Sequence, residues 1–456
     1  MPYDENSFLM GIAVGAAIRA TRFTNCITFS SPGAFSISKT GKYWDGILEY
    51  SLDRENWQEW DGSQISSGNS RNIFLRGTGN TTIQNSGWPA HHFNLTGANI
   101  SCTGNIETLL DYKSVAQGVH PTMAFGCFSS LFSDQTNLIS APELPAPVVS
   151  EQGYFGMFEG CTGLRKAPDI PATIVRHSGC RAMFYGCTNL TEIPSVLPAT
   201  TLYGDCYMQM FQGCTSLTTA PELPATVMAS GCYQNMFKEC TSLTTAPELP
   251  ATTLASSCYR QMFYGCSGLT EAPELPAETL ASYCYYEMFY RCSGLTKAPE
   301  LPAETLAPYC YEYMFQRCTS LTEPPELPAT TLSNYCYTGM FQGCTSLTEA
   351  PQLPATTLGN YCYVSMFYGC TALETLPELS ATTLNQSCYS TMFYDCTKIK
   401  LSATQTGEYV NAYRIPRSGT GTVGSNSMYN MFSNTGGTFT GTPTINTTYY
   451  TSNAVV

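Results

Sequence analysis

A Met-Phe pair returns through most of this chain with a fixed period. It stands at Met157, Met183, Met210, Met236, Met262, Met288, Met314, Met340, Met366 and Met392, in steps of 26 residues apart from one step of 27 around Ser195. A strict internal period of this length is the signature of a repeat architecture, and no other feature of the sequence constrains the fold as much. One unit reads Cys-Tyr-x-x-Met-Phe-x-x-Cys-Thr-Ser-Leu-Thr-x-Ala-Pro-Glu-Leu-Pro-Ala-Thr-Thr-Leu-Ala-x-x, shown cleanly by Cys232 to Ser257. A degenerate opening unit has Leu131-Phe132 with Cys127 and Phe128 in register, and an outlying Met431-Phe432 marks a closing one. A unit this short cannot bury its own apolar side chains, so neighbours must supply the other half of its core, and roughly a dozen units stack.

Within a unit, Cys258, Met262 and Cys266 fall at i, i+4 and i+8, which predicts a short helix with one apolar face. The proline-flanked segment Leu269 to Leu275 cannot be helical through its middle and suits a short extended strand. Helix, turn, strand and return make one coil of an α/β repeat solenoid of leucine-rich-repeat type. Strands about 4.8 Å apart would give a rod or arc of roughly 55 Å.

The repeat does not fill the chain. Residues 1–19 contain an apolar run from Phe8 to Ile18, preceded by Asp4 and Glu5 and followed by Arg19 and Arg22, the reverse of an export signal's charge order. The run is also shorter than the roughly 20 residues of a membrane span. With Gly11 and Gly15 four apart it predicts a small helix buried against a docking partner, against copies of itself in a homo-oligomer, or on its own domain. Residues 20–115 carry apolar runs at Cys26 to Phe29, Ile47 to Tyr50 and Ile73 to Leu75 between Gly, Asn, Ser and Asp clusters, the pattern of a β-rich domain. Trp57 and Trp60 in it suit either core packing or a sugar platform. The solenoid then occupies 116–400, and 401–456, rich in Gly, Thr, Ser and Asn, reads as a β-like cap over the last coil.

The run Met262-Phe263-Tyr264-Gly265-Cys266-Ser267-Gly268-Leu269 through Leu275-Pro276 resembles the BspA-type leucine-rich repeats of bacterial surface proteins and of phages and prophages of gut bacteria. The usual unit of that family is a little shorter, with an aromatic-Cys-Leu-Ile/Val-Pro signature. This chain has Met-Phe where that pattern favours Ala-Phe, and an added Ala-Pro before the second Leu. The likeness covers about residues 127–400. The opening Tyr3-Asp4-Glu5-Asn6-Ser7-Phe8-Leu9 through Gly15 also resembles the starts of virion structural proteins in such phages.

Sixteen of the 22 cysteines form two columns, Cys206 to Cys388 and Cys214 to Cys396, each stepping by 26. Eight residues of helix would hold the two cysteines of a unit roughly 12 Å apart, beyond reach of a disulfide. No Cys-x-x-Cys occurs and the chain has four histidines, so zinc finds no ligand set. Buried free thiols, made in the reducing cytoplasm of a bacterium, are the expectation. His91, His92, His120 and His177 offer no base for a nucleophile in the regular units, and neither catalysis nor a cofactor is expected. The net charge of -13 is concentrated in residues 121–400, which carry -12, so nucleic acid is an unsuitable partner.

Two sets of residues could carry recognition. Acids recur at one repeat position, Glu143, Asp169, Glu222, Glu248, Glu274, Glu300, Glu326 and Glu378, with Gln352 in the series. Such a stripe is either simply solvated or a binding stripe for cationic groups. Tyr207, Tyr233, Tyr259, Tyr285, Tyr311, Tyr337, Tyr363 and Tyr389 follow the first Cys uniformly, as a half-buried packing ladder would. Less regular are Tyr283, Tyr309, Tyr335 and Tyr361 before that Cys, and Tyr264, Tyr290, Tyr368 and Tyr394 after Met-Phe. Positions that vary between otherwise identical units are where ligand-facing side chains belong. The expected binding set is therefore Tyr264, Tyr283, Tyr290, Tyr309, Tyr335, Tyr361 and Tyr368 with Glu274, Glu300 and Glu326. Together with the resemblance it implies a virion adhesin that meets a bacterial surface glycan or protein and joins other virion proteins through its N-terminal region. A bacterial surface adhesin and a ligand-free virion decoration protein are the alternatives.

Overall fold

The computed structural model describes residues 25–84 and 92–456. The expected helix in residues 1–19, and His91, lie outside the described residues. Near the N-terminus lie nine short strands: β1 (Ile27–Ser30), β2 (Ser36–Lys39), β3 (Ile47–Ser51), β4 (Gln58–Glu59), β5 (Ile65–Ser66), β6 (Asn72–Thr78), β7 (Phe93–Thr96), β8 (Ile100–Thr103) and β9 (Leu138–Ser140). They form a six-stranded sheet, ordered β4-β3-β6-β1-β8-β9, and a three-stranded sheet, ordered β5-β2-β7. Antiparallel register sets Ile27 opposite Leu75 and Phe29 opposite Ile73, all fully buried. Trp60 is buried too, stacked between Trp44 and Phe93 at 6.0 and 6.1 Å, so core packing accounts for it. Trp57 lies under the Arg76 guanidinium at 3.9 Å. Helix α1 (Thr108–Ala116) packs on β6, and the parallel pairing of β8 with β9 joins this sheet to the first coil of the repeat.

The helix expected in each unit is not there, and among the described residues α1 is the one α-helix. The Cys-Tyr-x-x-Met-Phe-x-x-Cys run is a chain of tight turns. Ser257, Gln261 and Gly265 have φ of 56°, 54° and 74°, and Tyr283, Glu287 and Arg291 repeat the pattern at 61°, 51° and 59°. A left-handed residue at every fourth position cannot belong to a right-handed helix. Alternate backbone N–H groups do different work. Those of Tyr259, Gln261, Phe263 and Gly265 donate to the next coil, at the carbonyls of Cys284, Tyr286, Met288 and Tyr290, 2.7 to 3.1 Å away. Those of Met262 and Cys266 close turns onto Tyr259 and Phe263 at 3.1 and 3.0 Å. Stacking thus supplies the acceptors that a helix would find within itself, which is why the run needs its neighbours to fold.

The other two sides of the coil are extended but barely paired. Single parallel bridges link Glu271 to Lys297 and Lys297 to Glu323 on one side, and Thr253, Thr279, Thr305, Thr331 and Thr357 in succession on the other. The prolines of Ala-Pro-Glu-Leu-Pro lack N–H donors, so the expected strand is reduced to one bridge per coil. Two aromatic columns fill the interior. Phe132 through Phe393 to Phe432 stack one per coil at 5.3 to 5.8 Å. The regular tyrosines, Tyr207 through Tyr389, stack at 5.7 to 6.0 Å and are at most 1% exposed, so this ladder is fully buried rather than half-buried.

All 22 cysteines are free and buried. The reason lies in the coil geometry and not in a helical separation. Each second-column thiol, Cys161 to Cys396, donates to a Phe carbonyl of the preceding coil at 2.9 to 3.2 Å, as Cys292 does to Phe263 at 3.0 Å. A serine would bring a more strongly solvated hydroxyl, and an alanine would leave a void and lose the donor. After the last regular coil, Asn426 to Asn434 repeats the turn pattern with Met431 and Phe432 buried. Strands Asn411–Arg414 and Thr448–Thr451 pair antiparallel beside it.

Candidate functional site

The buried positions of the turn run scarcely change from coil to coil, whereas its outward positions do. Before the first Cys stand Ser257, Tyr283, Tyr309, Tyr335 and Tyr361; after Cys-Tyr come Arg260-Gln261, Tyr286-Glu287, Glu312-Tyr313, Thr338-Gly339 and Val364-Ser365. Tyr283, Tyr309, Tyr335 and Tyr361 form one half-buried ladder with ring centroids 4.5, 4.7 and 4.6 Å apart and planes within 12°. Each has a left-handed φ of 60° to 62°. That conformation costs about 1–2 kcal/mol for a residue with a side chain. Stacking on the neighbouring coil returns about 0.5–1.5 kcal/mol per pair.

Tyr264 and Tyr290 form a second stack at 4.5 Å, and Tyr368 and Tyr394 a third at 4.9 Å. Gln316 and Gln342 interrupt that column, the first donating to the second at 2.6 Å. Cations close the stack ends: Lys238 lies 4.4 Å from the Tyr264 ring, Arg291 5.4 Å from Tyr290, and Arg260 5.7 Å from Tyr283. Ring faces are therefore largely occupied by one another and by these cations. What the ladders offer outward is edges and hydroxyls.

The structure divides the predicted binding set between two faces. Glu274, Glu300 and Glu326 are exposed on the proline-rich side, and the first two line a groove of about 730 Å³ with Pro273, Leu275, Pro299 and Lys297. None of the tyrosines lines it. Lys297 pairs with Glu323 there at 3.5 Å, but both side chains are well exposed, so the pair adds little stability.

Sequence reasoning missed a polar cluster at the foot of the long ladder. Arg260, Tyr286, Glu287, Glu312 and Tyr313 come from three successive coils. Gln261 Nε2 donates to Glu287 at 2.5 Å, and the Arg260 guanidinium lies 4.8 Å from the Tyr286 ring. Glu312 is only 8% exposed. Burial pushes its carboxyl up to about 7, the charge of Glu287 adds to this, and Arg260 opposes it. Burial likewise raises the Tyr286 phenol, with the charge and hydrogen bond of Glu287 reinforcing it. The signal was in the sequence: the two residues after Cys-Tyr vary as much as those before it.

Comparison with known families finds six copies of the BspA type leucine-rich repeat region, over residues 156–296 and 232–374. The array is a BspA-type leucine-rich repeat region. Among solved structures, a leucine-rich repeat protein from Bacteroides ovatus overlaps the chain with a TM-score of 0.40 and 18% identity, over 70% of this chain and 79% of that one. A leucine-rich cell surface protein from Faecalibacterium prausnitzii gives 0.32 and 17%, over 69% and 84%. The TLR13–ssRNA13 complex gives 0.28 and 14%, over 64% and 44%. No curated protein matches. Within the BspA-type array the framework is the buried Cys, Tyr, Met, Phe and Leu columns, and the turn face is what distinguishes one coil from the next. Among the described residues no group of three or more His, Cys, Asp or Glu could hold a metal ion, and no helix is long and apolar enough to cross a membrane.

Proposed function

We propose that the protein is an adhesin whose BspA-type array presents its tyrosine-rich turn face to a protein on a bacterial surface, and that it is carried there on a phage virion. The observation that supports recognition is the contrast between an invariant interior and a varied exterior bearing stacked Tyr283, Tyr309, Tyr335 and Tyr361. Rigid aromatic side chains held by their neighbours make contact area at low entropic cost, as in antibody paratopes. A protein suits this face better than a glycan, because sugars lie on open ring faces and these are stacked shut. Hydroxyls and ring edges serve backbone and side-chain groups. The virion location rests on the likeness of Tyr3 to Gly15 to virion protein starts and on thiols free for folding in a reducing cytoplasm. Binding, not catalysis, is the activity.

Mass spectrometry of particles purified from the source culture tests the location: co-purification with capsid and tail proteins is expected. Recovery from the cell surface or medium instead would assign the chain to a bacterial adhesin. Binding of the full chain to intact cells tests recognition. Tyr309→Ala, Tyr335→Ala and Tyr361→Ala together should weaken it by about a hundredfold or more, since central interface tyrosines commonly cost over 1 kcal/mol each. Protease treatment of the cells should abolish it, and loss on glycan oxidation instead would return the ligand to a sugar.

A further inference from the structure

We propose that a pocket at the joint between the β-rich domain and the array binds the carboxylate of a ligand with a short apolar tail. The pocket, of about 350 Å³, opens between the loop after α1, which carries His120 and Met123, and the first two coils, which bring Pro147, Val148 and Arg176. None of the ladder tyrosines lines it, so the site is separate from the turn face and does not rest on the adhesin reading. Glu107, the residue before α1, stands in its wall and is 2% exposed. His120 Nδ1–H donates to Glu107 Oε2 at 2.8 Å, while the imidazole stays about half exposed. A buried carboxylate on one ring nitrogen fixes the imidazole and favours its charged form, which leaves Nε2–H as the donor for a ligand.

The second donor is Arg176. Among the described residues its guanidinium makes no hydrogen bond and no ion pair, and it lies 5.9 Å from the Tyr203 ring. The Ser150 hydroxyl, also in the wall, is already spent on the Ala124 carbonyl at 2.8 Å. Glu107 and a protonated His120 cancel, so the surplus charge is that of Arg176, which one carboxylate neutralises. A carboxylate is acceptor-only and matches the planar guanidinium fork, whereas an amide would set its own donors against these. Phosphate would bring more charge than the pocket matches and leave the Met123, Pro147 and Val148 wall uncovered. Residues 121–400 are acidic as a whole, but the coil over 154–179 has Arg165, Lys166 and Arg176 against Glu159 and Asp169, so the field here is locally reversed.

The test is calorimetric titration of the full chain with acetyl-Gly-Val, with its C-terminal amide, with butyrate and with inorganic phosphate. Acetyl-Gly-Val should bind, and amidation, Arg176→Gln or His120→Gln should each weaken it by about tenfold or more. Arg165→Gln, an exposed cation of the same coil outside the pocket, should leave affinity unchanged and excludes a general charge effect. Circular dichroism of the pocket variants guards against misfolding, and Arg176→Gln changes an exposed side chain that the fold does not use. Butyrate binding as tight as the peptide's would support the site as one for small organic acids, and much weaker butyrate binding would support it as one for peptide C-termini. Equal binding of the amide, tighter binding of phosphate, no binding of either carboxylate, or an indifferent Arg176→Gln overturns the proposal.

Discussion

Raising the pH should unfold the array abruptly just above the range where ordinary thiols ionise. Burial pushes Cys187, Cys232, Cys240, Cys284, Cys370 and Cys388 up to about 12, against 9.0 for an unburied thiol. Between those values the folded state holds protons that the unfolded state has lost, so stability falls as pH rises. One unit above 9.0 each such thiol costs about 1.4 kcal/mol, and these six together about 8 kcal/mol. The remaining buried cysteines and the tyrosine column add to that. Domains of this kind are stable by about 5–15 kcal/mol, so the transition should fall near pH 10 and span less than a unit. Circular dichroism and thiolate absorbance followed together on one titration would show it: both signals should change at the same pH. Thiolates that appear near 9.0 while the dichroism stays native would mean that the cysteine columns are open to water, and would refute the packing described here.

Phe289→Ala, which removes a fully buried ring stacked on Phe263 and Phe315 at 5.7 and 5.6 Å, should cost about 3–5 kcal/mol. Because coils touch only their neighbours, urea unfolding followed by tyrosine fluorescence should split into two transitions at that coil. Glu312 is protonated in both states at low pH but is held near 7 against 4.5 when folded, so as a charged group it destabilises the fold above neutrality. Glu312→Gln should therefore raise the unfolding free energy by ~1–2 kcal/mol at about pH 8, solvent screening trimming the full linkage value, and leave it unchanged at about pH 3, where both states are protonated. Thiol-reagent titration should find 22 reactive cysteines after denaturation, almost none before, and no effect of reductant on the melting temperature.

The sequence by itself determined the repeat, its 26-residue register, the frame of buried Cys, Met, Phe and Leu, and the free state of the thiols. Each follows from a unit too small to bury itself, and from like residues returning at one position in every coil. It misjudged the turn run, because Cys258, Met262 and Cys266 at i, i+4 and i+8 match a helix face and a chain of four-residue turns equally well. Gly213, Gly265, Gly343 and Gly369 before the second Cys, with Asn235 and Asp205 nearby, were the available sign of left-handed backbone. Only the tertiary structure decided what the tyrosines could do. Whether a ring shows its face or its edge depends on a neighbour 26 residues away, and stacking closed those faces. The same holds for Glu312, whose neighbours Glu287 and Arg260 lie one and two coils back. Nothing in its local sequence marks it as buried, because burial in a stack is decided between coils and not within one.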